Sequence, residues 1–591
     1  MSTPASRSEQ QIMPIWFAPV ATLLVGVVVA VVGGGVLAEV LSGVGVVWPP
    51  HGLVGVGQLL AGLVSSASDP GAAWAPHPSP GSPVIVWACI GVVGAVYTAA
   101  AISVAVWLSG RRMDRRHARE GFAGAAELRR RSLTEAKARE GGFAARVSLA
   151  GLPRHQRRQV PSSDLAVDVG HVVGAREHMW AQFRDGALVE GPTGSGKTWR
   201  IAWHRVIGAP GFCLATTTKP DLLWSTVAER AERGDVYVFD PENICAWPYR
   251  LRWSIIAGCD DPDTALRRAE ALVQAMPIDD AKNGAYFTAK SIVLMRCYLY
   301  AAARLDASLR TLRTWASRRQ VPEVREVLTR ERPDWAAELE QTLGSSADSS
   351  EDIIGATSRL LEPLASPALM DALDVPVADS ADLRSIIADG TNTLYLLSEG
   401  SSASAAPFVA ALAAEVHHVA KQHALSLPGE RLDPPAMLVL DELNNVAPIP
   451  RLPSLITDSG GRGLCIWGFV HSEAQNKDRW GQVGGRRLTT ESPMRIVLPG
   501  LADDQELASL SRLIGDRDDF YSRQAGPRRV PILPAAEIRQ MPADRALVIY
   551  RGAKPALVSL PTVWDTPALR ERVTASRDYY ESHYRQEPAH A

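Results

Sequence analysis

The segment Gly191 to Thr198, GPTGSGKT, follows the apolar run Ala187-Leu188-Val189 and opens into TWRIAWHRVI, which has a helical pattern. It fills every position of G-x-x-x-x-G-K-[ST], and each residue type has a reason. Glycines let backbone N–H groups close on phosphate oxygens, Lys197 reaches the β and γ phosphates, and Thr198 offers a hydroxyl to Mg²⁺. A loop of this kind sits between a strand and a helix, so it demands an α/β fold. The expected nucleotide-binding residues are Gly191, Pro192, Thr193, Gly194, Ser195, Gly196, Lys197 and Thr198, with ATP and Mg²⁺ as the implied ligands.

The second half of such a site is a hydrophobic strand ending in acid, and Ala436-Met437-Leu438-Val439-Leu440 followed by Asp441-Glu442 supplies it. Asp441 would join Thr198 at the metal, and Glu442 would polarise an attacking water. The long interval between the two motifs must hold further strands or an inserted domain.

At 591 residues the chain exceeds what one hydrophobic core supports. Its net charge of −2 gives no global attraction for nucleic acid, so any DNA-binding surface is a local patch or a pore built from several subunits. The 6 cysteines show no C-x-x-C spacing and read as small core residues in a reducing compartment.

No charged residue occurs from Met13 to Ala38 or from Ser82 to Gly110, and each stretch exceeds the roughly 20 residues that cross a bilayer. The expected transmembrane helices span about residues 14–38 and 83–109 of a hairpin over 1–110. Residues 42–83 contain no Lys or Arg, whereas Arg111, Arg112, Arg115, Arg116 and Arg119 crowd the exit of the second helix. The positive side faces the cytoplasm, which puts both termini inside and a short Pro/Gly-rich loop outside. The expected location is the cytoplasmic membrane, multi-pass.

Residues 111–165 are charged and Arg-rich and read as a stalk. Beyond the P-loop, Gly211 to Thr216 reads as a strand, Asp221 to Arg233 as an amphipathic helix, and Val236 to Asp240 as a strand. Strand patterns recur at Thr393–Leu397, Ala436–Leu440, Leu464–Val470, Met494 to Leu498 and Ala546 to Arg551, giving roughly seven or more strands. Residues 306–380 contain no strand pattern and read as an all-helical insertion dividing a nucleotide-binding domain of 166–305 and 381–565. Residues 566–591 read as a C-terminal tail, helical or frayed.

The order of these motifs resembles a family, the membrane-anchored type IV coupling proteins (TraG/TraD-like ATPases) of conjugation and type IV secretion. Two transmembrane helices are followed by the P-loop, Thr218-Lys219-Pro220-Asp221, FDPE at 239–242, WPY at 247–249 and GAYFTAKSIVL at 284–294. After the helical insertion come LVLDEL at 438–443, PIPRLPSLITDSGGRGLCIWGFVHSEAQ, and ILPAAEIRQMPADRALVIYRGAKP at 532–555, similar to the family's closing helix and terminal hairpin. The resemblance implies a RecA-like P-loop NTPase domain carrying an inserted all-α domain, a homo-hexamer, and as partners single-stranded DNA with its relaxase, the secretion channel and the inner membrane. It also implies catalytic roles for Lys197 and Glu442, with Arg462 as a finger reaching a neighbour's γ-phosphate. Where the family ends a strand in Gln-Ser, this chain has His471-Ser472, so His471 takes the place of the sensing Gln, and Arg462 stands closer to its turn glycine, Gly463, than the family's arginine does.

Two other functions fit the P-loop. A double-stranded DNA translocase of the FtsK type is expected to carry a DNA-reading winged helix after the motor, and the stretch after Arg551 leaves no room for one. A docking receptor would bind nucleotide and recruit secreted proteins through the helical insertion without pumping DNA.

Overall fold

The computed structural model describes residues 17–46, 52–119, 121–276, 284–344, 347–400, 405–446, 448–519 and 528–585. Residues 14–16 of the expected first span and 586–591 of the expected tail lie outside them. The chain divides into two compact units, Met1–Arg116 and His117–Ala591.

In the first unit, helices Phe17–Leu41 and Pro83–Arg119 contain the apolar stretches Thr22–Leu41 and Pro83–Val104, both long enough to cross a membrane. Gly34 permits their close approach, since a Cβ there would lie 2.5 Å from Cα of Ile90. The connection differs from the loop expected: it contains the helix Gly52–Ser65, whose 14 residues are too few to span a bilayer. Leu59 and Leu63 of that helix bury against Val31, Trp74 and Val86.

The second unit is built on one sheet of eleven strands. In chain order these are β1 (Val167–Val172), β2 (His178–Ala181), β3 (Ala187–Glu190), β4 (Cys213–Thr217), β5 (Val236–Phe239), β6 (Thr393–Leu397), β7 (Ala436–Leu440), β8 (Leu464–Val470) and β9 (Met494–Val497). A separate ribbon pairs β10 (Asp516–Asp519) with β11 (Arg528–Pro531), and β12 (Arg545–Tyr550) and β13 (Ala556–Ser559) complete the large sheet. Its order is β2-β1-β13-β12-β9-β3-β8-β7-β4-β6-β5. The strands from β9 to β5 run parallel, and β12, β13, β1 and β2 add an antiparallel edge.

The parallel strands are mostly apolar and buried because helices cover both faces. Along β8, Leu464 and Ile466 join one core while Cys465, Trp467 and Phe469 join the other. Each such large buried side chain contributes about 1.5–3 kcal/mol. The strands read from sequence are present within a residue or two at each end. β1, β2 and the β10–β11 ribbon were not expected.

Between β5 and β6 the described residues form helices and turns, from Pro262–Ala275 to Leu383–Ala388, without a strand. Pro322 and Pro333 are the first residues of Pro322–Glu331 and Pro333–Leu343, where the missing N–H costs nothing. The long helix Gly284–Leu305 buries Leu294, Met295, Tyr298 and Leu299 against them. At the other end, Pro567–Arg585 packs on the helix Asp221–Ala231, with Arg572 over the Trp203 ring and Arg577 over Trp224.

Candidate nucleotide site

β3, β7 and β8 are adjacent and parallel, so their C-terminal ends bring the P-loop, Asp441-Glu442 and His471 to one edge of the sheet. Gly194 and Gly196 have φ of +81° and +84°, left-handed values that let the loop curl. The helix it opens begins with a π-helical turn, Thr198–Ala202, before continuing as Trp203–Ile207. Widened turns of this kind recur at functional sites. The hydroxyl of Ser195 is buried without a partner, as expected of a donor meant for a phosphate oxygen.

Lys197 is only 6 % exposed. Its Nζ donates to the carbonyls of Gly191 at 2.6 Å and Pro192 at 3.3 Å, and contacts Nδ1 of His471 at 3.0 Å. An ammonium has donors only, so Nδ1 accepts and the ring proton sits on Nε2. That nitrogen lies 2.8 Å from Oε2 of Glu442, completing a chain from Lys197 through His471 to Glu442. Glu442 itself adopts φ +51°, a backbone strain of about 1 kcal/mol or more that points to a functional constraint.

Asp441 accepts from Thr198 Oγ1 at 3.2 Å, and its carbonyl accepts from Thr216 Oγ1 at 2.9 Å. Burial, aided by the charge of Glu442, pushes the Asp441 carboxyl up to about 6. Burial also holds the Lys197 ammonium below its ordinary range, against the pull of Glu442 and Asp441. For Glu442 burial acts upward, but the hydrogen bond to His471 and the charge of Lys197 outweigh it and leave the carboxyl lowered. Mg²⁺ favours hard oxygen donors, and the Thr198 hydroxyl and Asp441 carboxylate are adjacent oxygens that fit it.

Arg462 is not brought to this edge. It precedes the 7-residue β8, whose far end carries His471, so the two lie about 23 Å apart along the strand. There Arg462 pairs with Glu430 at 3.4 Å.

Sequence reasoning missed a buried charge cluster beside the loop. Arg495 of β9 pairs with Glu190, the residue before Gly191, at 2.6 Å and with Glu506 at 3.0 Å. Glu473, which opens the helix after His471-Ser472, lies 4.0 Å from the same guanidinium. Nothing local marks Arg495 as inward, since β9 reads as an apolar run interrupted once. The FDPE motif has a fastening role: Glu242 accepts from Ser398 Oγ at 2.9 Å and from the Glu399 N–H at 2.8 Å, while Asp240 accepts from the N–H groups of Ile244 and Cys245.

Fold and site together define a RecA-like P-loop nucleotide-binding fold with a helical insertion. A family model described as the TraM recognition site of TraD and TraG matches residues 435–543, the span containing Asp441, Glu442, Arg462 and His471. No curated protein sequence matches the chain. Among solved structures, the plasmid coupling protein TrwB in complex with the non-hydrolysable GTP analogue GDPNP has a TM-score of 0.50 at 20% identity, covering 64% of this chain and 86% of that one. TrwB in complex with ADP and Mg²⁺ gives 0.50 at 20% identity over 64% and 85%. The trigonal form of TrwBdeltaN70 in complex with sulphate gives 0.51 at 19% identity over 64% and 86%. The chain is thus similar to the type IV coupling proteins both in the matched segment and in the fold of its nucleotide-binding part.

Proposed function

We propose that the protein is a membrane-anchored ATPase that couples a DNA substrate, single-stranded and joined to its relaxase, to a type IV secretion channel and drives its transfer by ATP hydrolysis. The observation that carries this reading is the convergence of Lys197, Thr198, Asp441, Glu442 and His471 at one sheet edge. ATP phosphates fit the loop from Gly191 to Thr198, and Thr198 and Asp441 would hold Mg²⁺, which neutralises phosphate charge when bound. Lys197 transfers its hydrogen bonds from the loop carbonyls to the β and γ phosphates. Glu442 accepts a proton from the attacking water, and His471 holds that carboxylate in position.

The two apolar helices anchor the chain in the cytoplasmic membrane, with both termini and the nucleotide site inside. The helical insertion selects cargo. Because Arg462 is remote from the P-loop of its own chain, it serves catalysis only across a subunit contact, as in a homo-hexamer.

The test is ATP turnover by the full chain in detergent with no DNA, with single-stranded DNA and with duplex. Stimulation by single strands supports the coupling reading. Stimulation by duplex alone favours a double-stranded translocase, and turnover or binding indifferent to DNA favours a docking receptor.

A further inference from the structure

The helix after the P-loop also lines a half-open cavity of about 450 Å³, whose other walls come from β1, β2 and the residues after β13. Arg205 lies on the wall of this cavity and is only 9 % exposed. Its Nη2 donates to the Asp168 carbonyl at 2.6 Å, and its guanidinium stands 4.6 Å from the Trp467 ring. Its Nε is buried with no hydrogen-bond partner. Arg200, earlier in the same helical segment, donates to the Leu560 carbonyl, and its Nε is likewise buried without a partner.

Among the described residues neither arginine has a carboxylate within salt-bridge distance. The acid nearest to hand, Asp168, is taken by Nδ1 of His178 at 2.9 Å, a hydrogen bond that raises the His178 pKa. A buried guanidinium kept without a counterion is among the costliest groups a fold retains, and anion binding relieves that cost. The planar fork of arginine matches phosphate oxygens.

We propose that this cavity is a second anion site, separate from the P-loop, which takes a phosphate group between Arg205 and Arg200. The phosphate is either free or carried on a small molecule, and the volume admits one of mononucleotide size. The site does not depend on the ATPase reading, since neither arginine belongs to the motif that grips the ATP phosphates.

Isothermal titration of the full chain in detergent tests it, with K197A as the background that disables the P-loop. Inorganic phosphate and AMP are the two probes. The expected result is one remaining site per chain, weakened about tenfold or more in K197A/R205Q and in K197A/R200Q. Tighter binding of AMP than of phosphate would identify a phosphomonoester as the ligand, and equal or weaker binding the free ion. Thermal melts separate this from a structural role: phosphate should raise the melting temperature of K197A and leave K197A/R205Q unmoved, while phosphate-free K197A/R205Q melts no lower than K197A. Should R205Q fail to fold, R200Q decides alone. Absence of any site in K197A, or a site indifferent to the arginine substitutions, overturns the proposal.

Discussion

Nε2 of His471 lies 2.8 Å from Oε2 of Glu442, while Nδ1 of the same ring receives Lys197 at 3.0 Å. One imidazole therefore joins the group that grips phosphate to the group that activates water, and the tautomer that serves one contact fixes the other. Removing the ring should release the carboxylate without emptying the loop. We expect H471A to lower kcat by about 10- to 100-fold with nucleotide Kd changed less than about threefold. H471Q, which keeps one donor and one acceptor, should hold most of the activity. Equal losses in Kd and kcat for H471A would make the residue structural.

A stability prediction rests on Arg230, which is fully buried. Its guanidinium donates to Thr393 Oγ1 at 2.7 Å and to the carbonyls of Ala209, Gly211 and Thr391 at 2.7, 3.0 and 3.1 Å, tying the starts of β4 and β6 together. R230M keeps the volume and strands these acceptors, at a cost of about 3 kcal/mol or more. Denaturant unfolding should show a clearly lower midpoint. An unchanged midpoint would mean that water replaces the guanidinium.

Much of this was legible in the sequence, for identifiable reasons. β7 and β8 are buried on both faces, so their unbroken apolar runs announce parallel strands, and the P-loop motif marks β3 before it and the helix after it. β1, with the sequence VDVGHV, is hidden because Asp168, Gly170 and His171 interrupt it, and the 4-residue β2 pairs only through it at the sheet edge. The burial of Arg205, Arg230 and Arg495 is hidden, since local sequence does not reveal that a helix or strand is covered on its polar side. Lys197 and Glu442 were nameable singly, but their link through His471 depends on the register of β3 with β8, a long-range fact.

The cluster around Arg495 sets a pH dependence. Glu506 is 5 % exposed, and burial together with the Glu190 charge pushes its carboxyl up to about 7. The native state then keeps a proton that the unfolded chain releases in the ordinary carboxylate range, so stability falls as pH rises through that window to about 7. The slope is at most about 1.4 kcal/mol per pH unit for this one group. Glu190, raised by burial, acts in the same direction. In E506Q the decline in melting temperature between about pH 5 and 7.5 should be shallower than in the wild type; a parallel pair of curves would refute the assignment.

The membrane hairpin can be tested apart from the nucleotide site. All 6 native cysteines are buried, which leaves added ones readable. A cysteine at Ser66 should react with a membrane-impermeant thiol reagent in intact cells, and one at Ser132 only after lysis. The reverse pattern would deny the P-loop its ATP.

The most direct measurement is single-turnover ATP hydrolysis by the full chain, with nucleotide binding followed in parallel, for the wild type, K197A and E442Q. The wild type should bind and cleave. E442Q should bind comparably and cleave at least about a hundredfold more slowly, and K197A should lose at least about tenfold in cleavage, some 1.4 kcal/mol of barrier. If E442Q cleaves ATP at the wild-type rate, or K197A retains full turnover, the edge formed by β3, β7 and β8 is not where hydrolysis occurs.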